Sequence, residues 1–465
     1  MAAPGSDMRD TSTARLASYA AELRFDGLDE ATVLATKRVL IDYLACVISG
    51  SAMPTPQIVR TYLAERGERP RALVLGTGLR MSASSAALAN GVAAHSLDFD
   101  DGHTRASAHP AGAIVSAALA YAEEVDASPR ELVTAIVAGY EVMLRVASAM
   151  HPVSASVGWH NTAVGGVIGA AAAVASLARL DPDTTRDAIG LATSFAGGLR
   201  EYLDDGAEVK RLHPGKAARD GILCADLAKR GITGAVDALE GRHGLFSAML
   251  HGKGEPAALT EGLGENPAIG QVYFKPYPCC RHFHSAIEAL LGLRAENDLT
   301  PEQIDTVSVG LYAVGAKGHD SQRVRSFLEA QMSAPYAIAV ALWYGKVVPE
   351  HFAEPVRDNP LIAALVRRVE VFVDVECEEL YPKRRSGSIV IRLKDERNLS
   401  RRILDPKGEG DNPMTNGDLY QKLTGCLSGT YFADDVPAIV ETVNGIESLH
   451  TLDALLHLVG KDPSS

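Results

Sequence analysis

Four short stretches concentrate groups that could move protons or hold anions. The stretch "LDFDDGHTRASAHPAG" (97–112) sets Asp98, Asp100, Asp101, His103, Arg105 and His109 between two alanine-rich apolar segments. "SVGWHNTAVGG" places His160 between an indole and an amide, directly before a run of tiny residues. "EVKRLHPGKAARDG" gathers Lys210, Arg211, His213, Lys216 and Arg219. "YFKPYPCCRHFHSAIEALL" adds Lys275, Arg281, His282 and His284 ahead of a helical pattern. Basic side chains of this kind bind the carboxylates of a di- or tricarboxylic acid. A neutral imidazole or a carboxylate can then move a proton on the carbon beside one of them. The lysines would lower the energy of the enediolate-like charge that develops. That chemistry is elimination, decarboxylation or epimerisation, and it needs no cofactor.

Each stretch also has a plainer reading. The spacing of three between His95 and Asp98, and between Asp98 and Asp101, puts those pairs on one face of a helix, which could simply be a solvated helix end. The apolar flanks on both sides favour a cleft instead. A capping turn explains the His160 stretch equally well. Arg219 reads as the polar face of an amphipathic helix, whereas His213-Pro214-Gly215 would lead into a helix whose first amides add positive potential. Cys279, Cys280, His282 and His284 are all metal-ligand types. Adjacent cysteines do not readily serve one tetrahedral ion and no second CxxC or HxxxH pair exists, so an anion clamp is expected there and no metal.

Totals narrow the class further. The 465 residues carry a net charge of −13, which disfavours nucleic acid and anionic membranes and makes local basic clusters informative. Six cysteines without a CxxC pair fit free thiols in a reducing compartment, and no secretion signal opens the chain, so a cytoplasmic setting is expected. The Ala/Gly/Val stretch from Thr162 to Leu177 reads as a buried helix rather than a membrane span. No GxGxxG after a strand, GxxxxGK[ST], GxSxG or HExxH occurs, which sets aside nucleotide, serine-hydrolase and zincin chemistry.

The elements that must position these groups are mostly helices. Helical periodicity runs from about Thr13 to Leu263, with aromatics at only 6% and abundant alanine and glycine, so helices are expected to approach closely. From about Ile269 the period changes. "DTVSVGLYAV", "VEVFVDVE" and "GSIVIRL" alternate as strands, "SRRILDPKG" could close a hairpin, and "SAPYAIAVALWYG" reads as a helix between them. "NPMTNGDLYQKLTGC" restarts helices. The expected fold is mainly α: a helical domain over 1–268, an α+β unit over 269–406, and a return to the helical domain over 407–465.

These segments, in this order, resemble the MmgE/PrpD family, which includes 2-methylcitrate dehydratase, cis-aconitate decarboxylase and iminodisuccinate epimerase. The matching stretches are "AHSLDFDDGHTRASAHPAGAI", "GWHNTAVGGVIGAAAA", "KRLHPGKAARDGILCADLAKRGITG", "KPYPCCRHFHSAIEAL" and "APYAIAVAL", with "VLIDYLACVISG" and "PKGEGDNPM" at the two ends. The resemblance implies a large all-helical domain built from both chain ends, a smaller α+β lid domain, a homodimer, and a metal-free active site in the cleft between the domains. It makes Asp98, His109, His160 and Lys210 catalytic, with Lys275 and Tyr336 contributed from the lid side. His103, Arg105, His213, Arg281 and His282 complete the expected substrate-binding set. The decarboxylases place a threonine directly after the DFDD acids, where this chain has Gly102, His103 and Thr104. A hydro-lyase of the 2-methylcitrate dehydratase type is therefore expected. Decarboxylase and epimerase are the alternatives within the family, and a non-catalytic carboxylate-binding helical dimer is the alternative outside it.

Overall fold

A computed structural model describes residues 10–461. It is mainly α, with 58% of the chain in helices. The helices form where the sequence caps them. Asp29 accepts from the Thr32 amide to open Glu30–Gly50, Ser82 caps Ala83–His95, and Ser128 with Glu131 forms a capping box for Pro129–Met150. Pro129–Met150 is long and apolar enough to span a bilayer, yet 94% of its apolar window is buried among other helices, so it serves as a core helix.

Small residues set how closely the helices pack. A Cβ added to Gly169, in Asn161–Leu177, would lie 2.6 Å from the Gly139 carbonyl oxygen of Pro129–Met150. One added to Gly91 would lie 2.6 Å from Gly215 Cα and 2.7 Å from the Gly112 carbonyl oxygen. That second contact brings three helices, Ala83–His95, Ala111–Glu124 and Val209–Lys229, to one crossing. Their ends carry His95, the 96–110 loop, and Lys210 with His213. Alanine and glycine are thus what let three chemistry-bearing segments meet.

Two hydrophobic cores are present. The larger draws on residues from Leu16 to Phe274 and again from Met414 to Val459. The smaller draws on Cys279 to Leu393 and surrounds a four-stranded sheet. Its strand order is Val369–Val373, Ile304–Leu311, Gly387–Leu393, Asn398–Ile403, with the first pair parallel and the others antiparallel. Helices His284–Glu296 and Ala334–Tyr344 pack beside this sheet. A two-stranded hairpin, Ala72–Leu73 with Arg80–Met81, interrupts the helical first half, where helices alone were expected.

Two local expectations need correction. His95 is the last residue of its helix, and Asp98 adopts a left-handed backbone with φ of 48°, so Asp98 and Asp101 share a loop rather than a helix face. Pro214 does not start a helix. Val209–Lys229 begins one turn earlier, and Pro214 sits inside it, where the ring still fits close to the N-terminus. No helix N-terminus therefore sits at His213–Gly215 to supply positive potential.

Candidate active site

The 96–110 loop folds back across the end of helix Ala83–His95 and is pinned by its own charges. Lys210 donates from Nζ to Asp98 Oδ1 at 2.5 Å and to His95 Nε2 at 3.1 Å. Lys275 donates to the Asp98 carbonyl at 2.9 Å and lies 3.2 Å from Asp98 Oδ1. These contacts hold Asp98 in its unusual backbone conformation. Burial opposes ionisation of Asp98, but Lys210 and Lys275 outweigh it and keep the carboxyl well below the usual range. Lys275, with no exposure, would lose its proton by burial alone, and Asp98 and Asp100 push its pKa up instead. Beneath the loop, Lys422 donates to Asp42 Oδ1 at 2.6 Å, to the Phe99 carbonyl at 2.5 Å and to the Lys275 carbonyl at 3.1 Å. The returning C-terminal helix, Asn416–Leu427, thereby anchors both the acidic loop and Lys275.

The histidines can be assigned tautomers from their partners. An ammonium only donates, so His95 Nε2 accepts and His95 Nδ1 donates to Asp100 Oδ2 at 2.7 Å. A carbonyl only accepts, so His109 Nδ1 donates to the Asp101 carbonyl at 2.6 Å. His109 Nε2 then carries a lone pair. Burial first, and Lys275 second, pull the His109 pKa down to about 3. The ring is a neutral base across the neutral pH range. His160 Nδ1 and His213 Nδ1 share one hydrogen at 2.8 Å. Burial depresses both, His213 to about 4. Asp101 behaves differently: burial and the nearby Asp42 and Asp100 push its pKa well up, and it holds Tyr140 and the Ala111 amide.

Asp98, His109, His160, Lys210 and Lys275 line one cleft of about 660 Å³, counting the space open to solvent. Arg281 and His282 reach it from the α+β side. His213 stands behind His160 and does not line the cleft. Three further expected residues lie elsewhere. Tyr336 is 1% exposed within the smaller core, and its hydroxyl donates to the His351 carbonyl. Arg105 points outward toward Glu255, with its side chain 62% exposed. His103 accepts from the Ala106 amide and borders a neighbouring hollow with Arg105. Arg281 lines the cleft but is occupied by Glu409 and the Pro406 and Lys407 carbonyls.

Other lining residues were not anticipated. Arg200 and Arg385 have no carboxylate partner among the described residues, although both face the cleft. Arg385 is 3% exposed and donates only to the Thr104 carbonyl and the Tyr312 hydroxyl. His319, Tyr202 and Tyr273 complete the wall. His95, buried behind Asp98 and not lining the cleft, did have a sequence signal, its spacing from Asp98. Arg200 and Arg385 sit in unremarkable contexts, "GGLREYL" and "YPKRRSG". The departure after the DFDD acids also has a structural counterpart. A Cβ on Gly102 would strike the Tyr273 hydroxyl at 2.3 Å, and Thr104 turns away to bond Glu409.

Family models for the MmgE/PrpD N-terminal domain match residues 14–257, and for its C-terminal domain residues 277–446. The chain belongs to the MmgE/PrpD family. Among its relatives, a cis-aconitate decarboxylase-like protein of Aspergillus oryzae is 28% identical, covering 96% of this chain and 97% of its own length. Cis-aconitate decarboxylase of Aspergillus terreus is 27% identical over 96% of this chain and 95% of its own. The Homo sapiens enzyme of the same name is 27% identical over 95% and 93%. The MmgE/PrpD cleft of this chain thus keeps the acidic loop, two histidines and two lysines together in one place.

Proposed function

We propose that this lyase moves a proton at the carbon beside a carboxylate of a small hydroxy polycarboxylate, eliminating water as a 2-methylcitrate dehydratase does. The observation that carries the reading is a neutral His109 with a free Nε2, facing the same cleft as two buried ammonium groups that share the single carboxylate of Asp98. His109 takes the α-proton. Lys210 and Lys275 bind the adjacent carboxylate and stabilise its enediolate charge. Where His213 supplies the shared hydrogen, His160 presents Nε2–H to the departing hydroxyl. Substrate carboxylates entering the cleft raise the His109 pKa, moving the base toward the operating pH. Arg200 and Arg385 accept the remote carboxylates. In this proposal the unit around the smaller core is a lid, its boundaries near 269 and 406, and the chain works as a homodimer in the cytoplasm without a cofactor.

The named activity of the relatives favours a second reading, decarboxylation of an unsaturated tricarboxylate on the same groups. The displaced Thr104 and the Tyr273 ring against Gly102 favour the first. Incubation with citrate, 2-methylcitrate, cis-aconitate and iminodisuccinate, followed by proton NMR and carbon dioxide detection, separates them. A new alkene without carbon dioxide supports dehydration. Carbon dioxide from cis-aconitate selects the decarboxylase, and racemisation alone selects the epimerase. Inertness toward all four acids contradicts the proposal.

A further inference from the structure

We propose that Cys280, His282 and His319 form a zinc site on the α+β wall of the cleft, with three protein ligands and a fourth position open to the cavity. This goes beyond the proton chemistry and does not depend on it. The three side chains offer one ligand atom each, and these atoms lie within 4.8 Å of one another. Cys280 Sγ and His319 Nε2 are 3.2 Å apart. Bond lengths of about 2.3 Å to sulfur and about 2.0 Å to nitrogen place two such ligands roughly 3.5 Å apart around a tetrahedral ion. One sulfur and two imidazole nitrogens are the donor set that selects zinc over magnesium or calcium.

Local folding separates these ligands from their neighbours in sequence. Cys280 and His282 flank Arg281, whose guanidinium turns away to Glu409 and two carbonyls. Cys279 and His284 turn into the smaller core and pair with each other at 3.6 Å. His319, from a separate segment, takes the place those two leave open. His282 Nδ1 meets the Tyr312 hydroxyl at 2.5 Å, the outer contact that orients a ligating imidazole and frees its Nε2 for an ion. His319 is 1% exposed, its Nδ1 has no partner, and the Cys280 thiol is the polar contact of its ring nitrogens.

The second cluster of possible ligands in the cleft, His95, Asp98 and Asp100, contrasts with this one. Asp98 Oδ1 is held by Lys210 and Lys275 and Asp100 Oδ2 by His95, while Asp98 Oδ2 and Asp100 Oδ1 have no hydrogen-bond partner among the described residues; the ammonium pair beside the cluster already supplies the positive charge that a cation would bring. Arg385 on the α+β wall and Arg200 beside His160 also face the cleft and oppose an added cation. Thiol deprotonation offsets one charge: the zinc–sulfur bond forms, the sulfur–hydrogen bond breaks, and the proton leaves to solvent with no change in oxidation state. An anionic fourth ligand, a carboxylate oxygen or hydroxide, offsets the second and satisfies the arginines. A zinc ion held there would occupy part of the cavity that His109 also lines, so it would block the cofactor-free reaction rather than serve it.

The test uses the full chain, reduced and stripped with a chelator, then titrated anaerobically with cobalt(II) as the spectroscopic probe. One equivalent should bind with a thiolate-to-cobalt charge-transfer band in the near ultraviolet, and one equivalent of zinc should displace it. Cys280→Ser, which preserves side-chain volume, should remove the band. His319→Ala, which removes a direct ligand, should weaken binding by more than the roughly tenfold that loss of an outer contact costs, while keeping the band. His282→Gln should do the same, and Cys279→Ser should change nothing. Circular dichroism verifies that each variant is folded. Absence of stoichiometric binding to the wild type, or a band that survives Cys280→Ser, overturns the site.

Discussion

The two walls of the cleft are built on opposite terms. On the helical wall the lysines and imidazoles are partnered: Lys210 and Lys275 share Asp98, His95 leans on Asp100, and His160 leans on His213, with only carboxylate oxygens, Asp98 Oδ2 and Asp100 Oδ1, left over among these groups. Across the cleft, Arg385 faces the cavity with no carboxylate of its own among the described residues and His319 Nδ1 is unpartnered; Arg200, held beside His160 at the edge of the helical wall, also lacks a carboxylate. A buried polar group left unpaired costs roughly 1–3 kcal/mol, more when charged. The helical wall is preorganised before substrate arrives. Arg385 on the α+β wall, with Arg200 at the edge of the helical one, holds positive charge in reserve for an anion that must come from outside. The contrast points to a division of labour: proton chemistry where the lysines and imidazoles are paired, recognition of carboxylates where the arginines are not.

The largest way to break that division is on the helical wall. His109→Ala and Lys210→Ala should each lower kcat by about 10²–10⁴-fold while the protein stays folded. Steady-state kinetics with the accepted acid, and a melting curve for each variant, check this. Near-normal turnover in either variant would remove that residue from the proton path.

A smaller and different effect is expected across the cleft. Arg385→Met should raise KM by about 10- to 100-fold, with a lesser change in kcat, because a charge-assisted hydrogen bond contributes roughly 1.5–3 kcal/mol. If kcat fell and KM stayed constant, Arg385 would belong with the chemistry and the two walls would not differ in role.

pH sharpens the comparison through stability. Burial pulls His109 to about 3, and His103 and His213 to about 4, from an ordinary value of 6.5. The unfolded chain therefore takes up protons below about pH 6.5 that the folded chain refuses until about pH 4. The stability these neutral histidines allow is fully present above pH 6.5 and falls as pH drops toward 4. Melting temperature measured from pH 7.5 to 4.5 should decline steadily on the acid side. A flat profile would mean that these rings are not held neutral. The smallest effect is expected outside the cleft: Arg105→Ala should leave kcat/KM and stability near wild type, since Arg105 faces solvent and a surface change is worth about 0.5 kcal/mol or less.

The helical wall was largely legible in the sequence, and the opposite wall was not. Asp98, His109, His160 and Lys210 stand out because each is a charged or titratable group embedded in an alanine- or glycine-rich context, a local pattern. The geometry joining them was misread: Asp98 and Asp101 share a loop, and Pro214 lies inside its helix. His319 and Arg385 come from unrelated segments and reach the cleft only through the packing of the smaller core against the helical body, whereas Arg200 reaches it because its segment pairs with Gly158 and Trp159. Tyr336 illustrates the converse, an aromatic placed by resemblance at the site that packs into the apolar interior, while His319 faces the cavity a short distance earlier in the chain. Periodicity predicted most of the helices and the four strand segments, though not their order in one sheet, because burial repeats every 3.6 or 2 residues. It carries no information about which loops meet.

The most direct test of proton transfer by His109 is solvent deuterium incorporation. Wild-type protein and His109→Ala are incubated in deuterium oxide with each candidate polycarboxylate, and the carbon beside the carboxylate is followed by proton NMR. The account predicts deuterium at that carbon with the wild type and none above background with the variant. Incorporation at equal rates in both, or in neither with any acid, would contradict it.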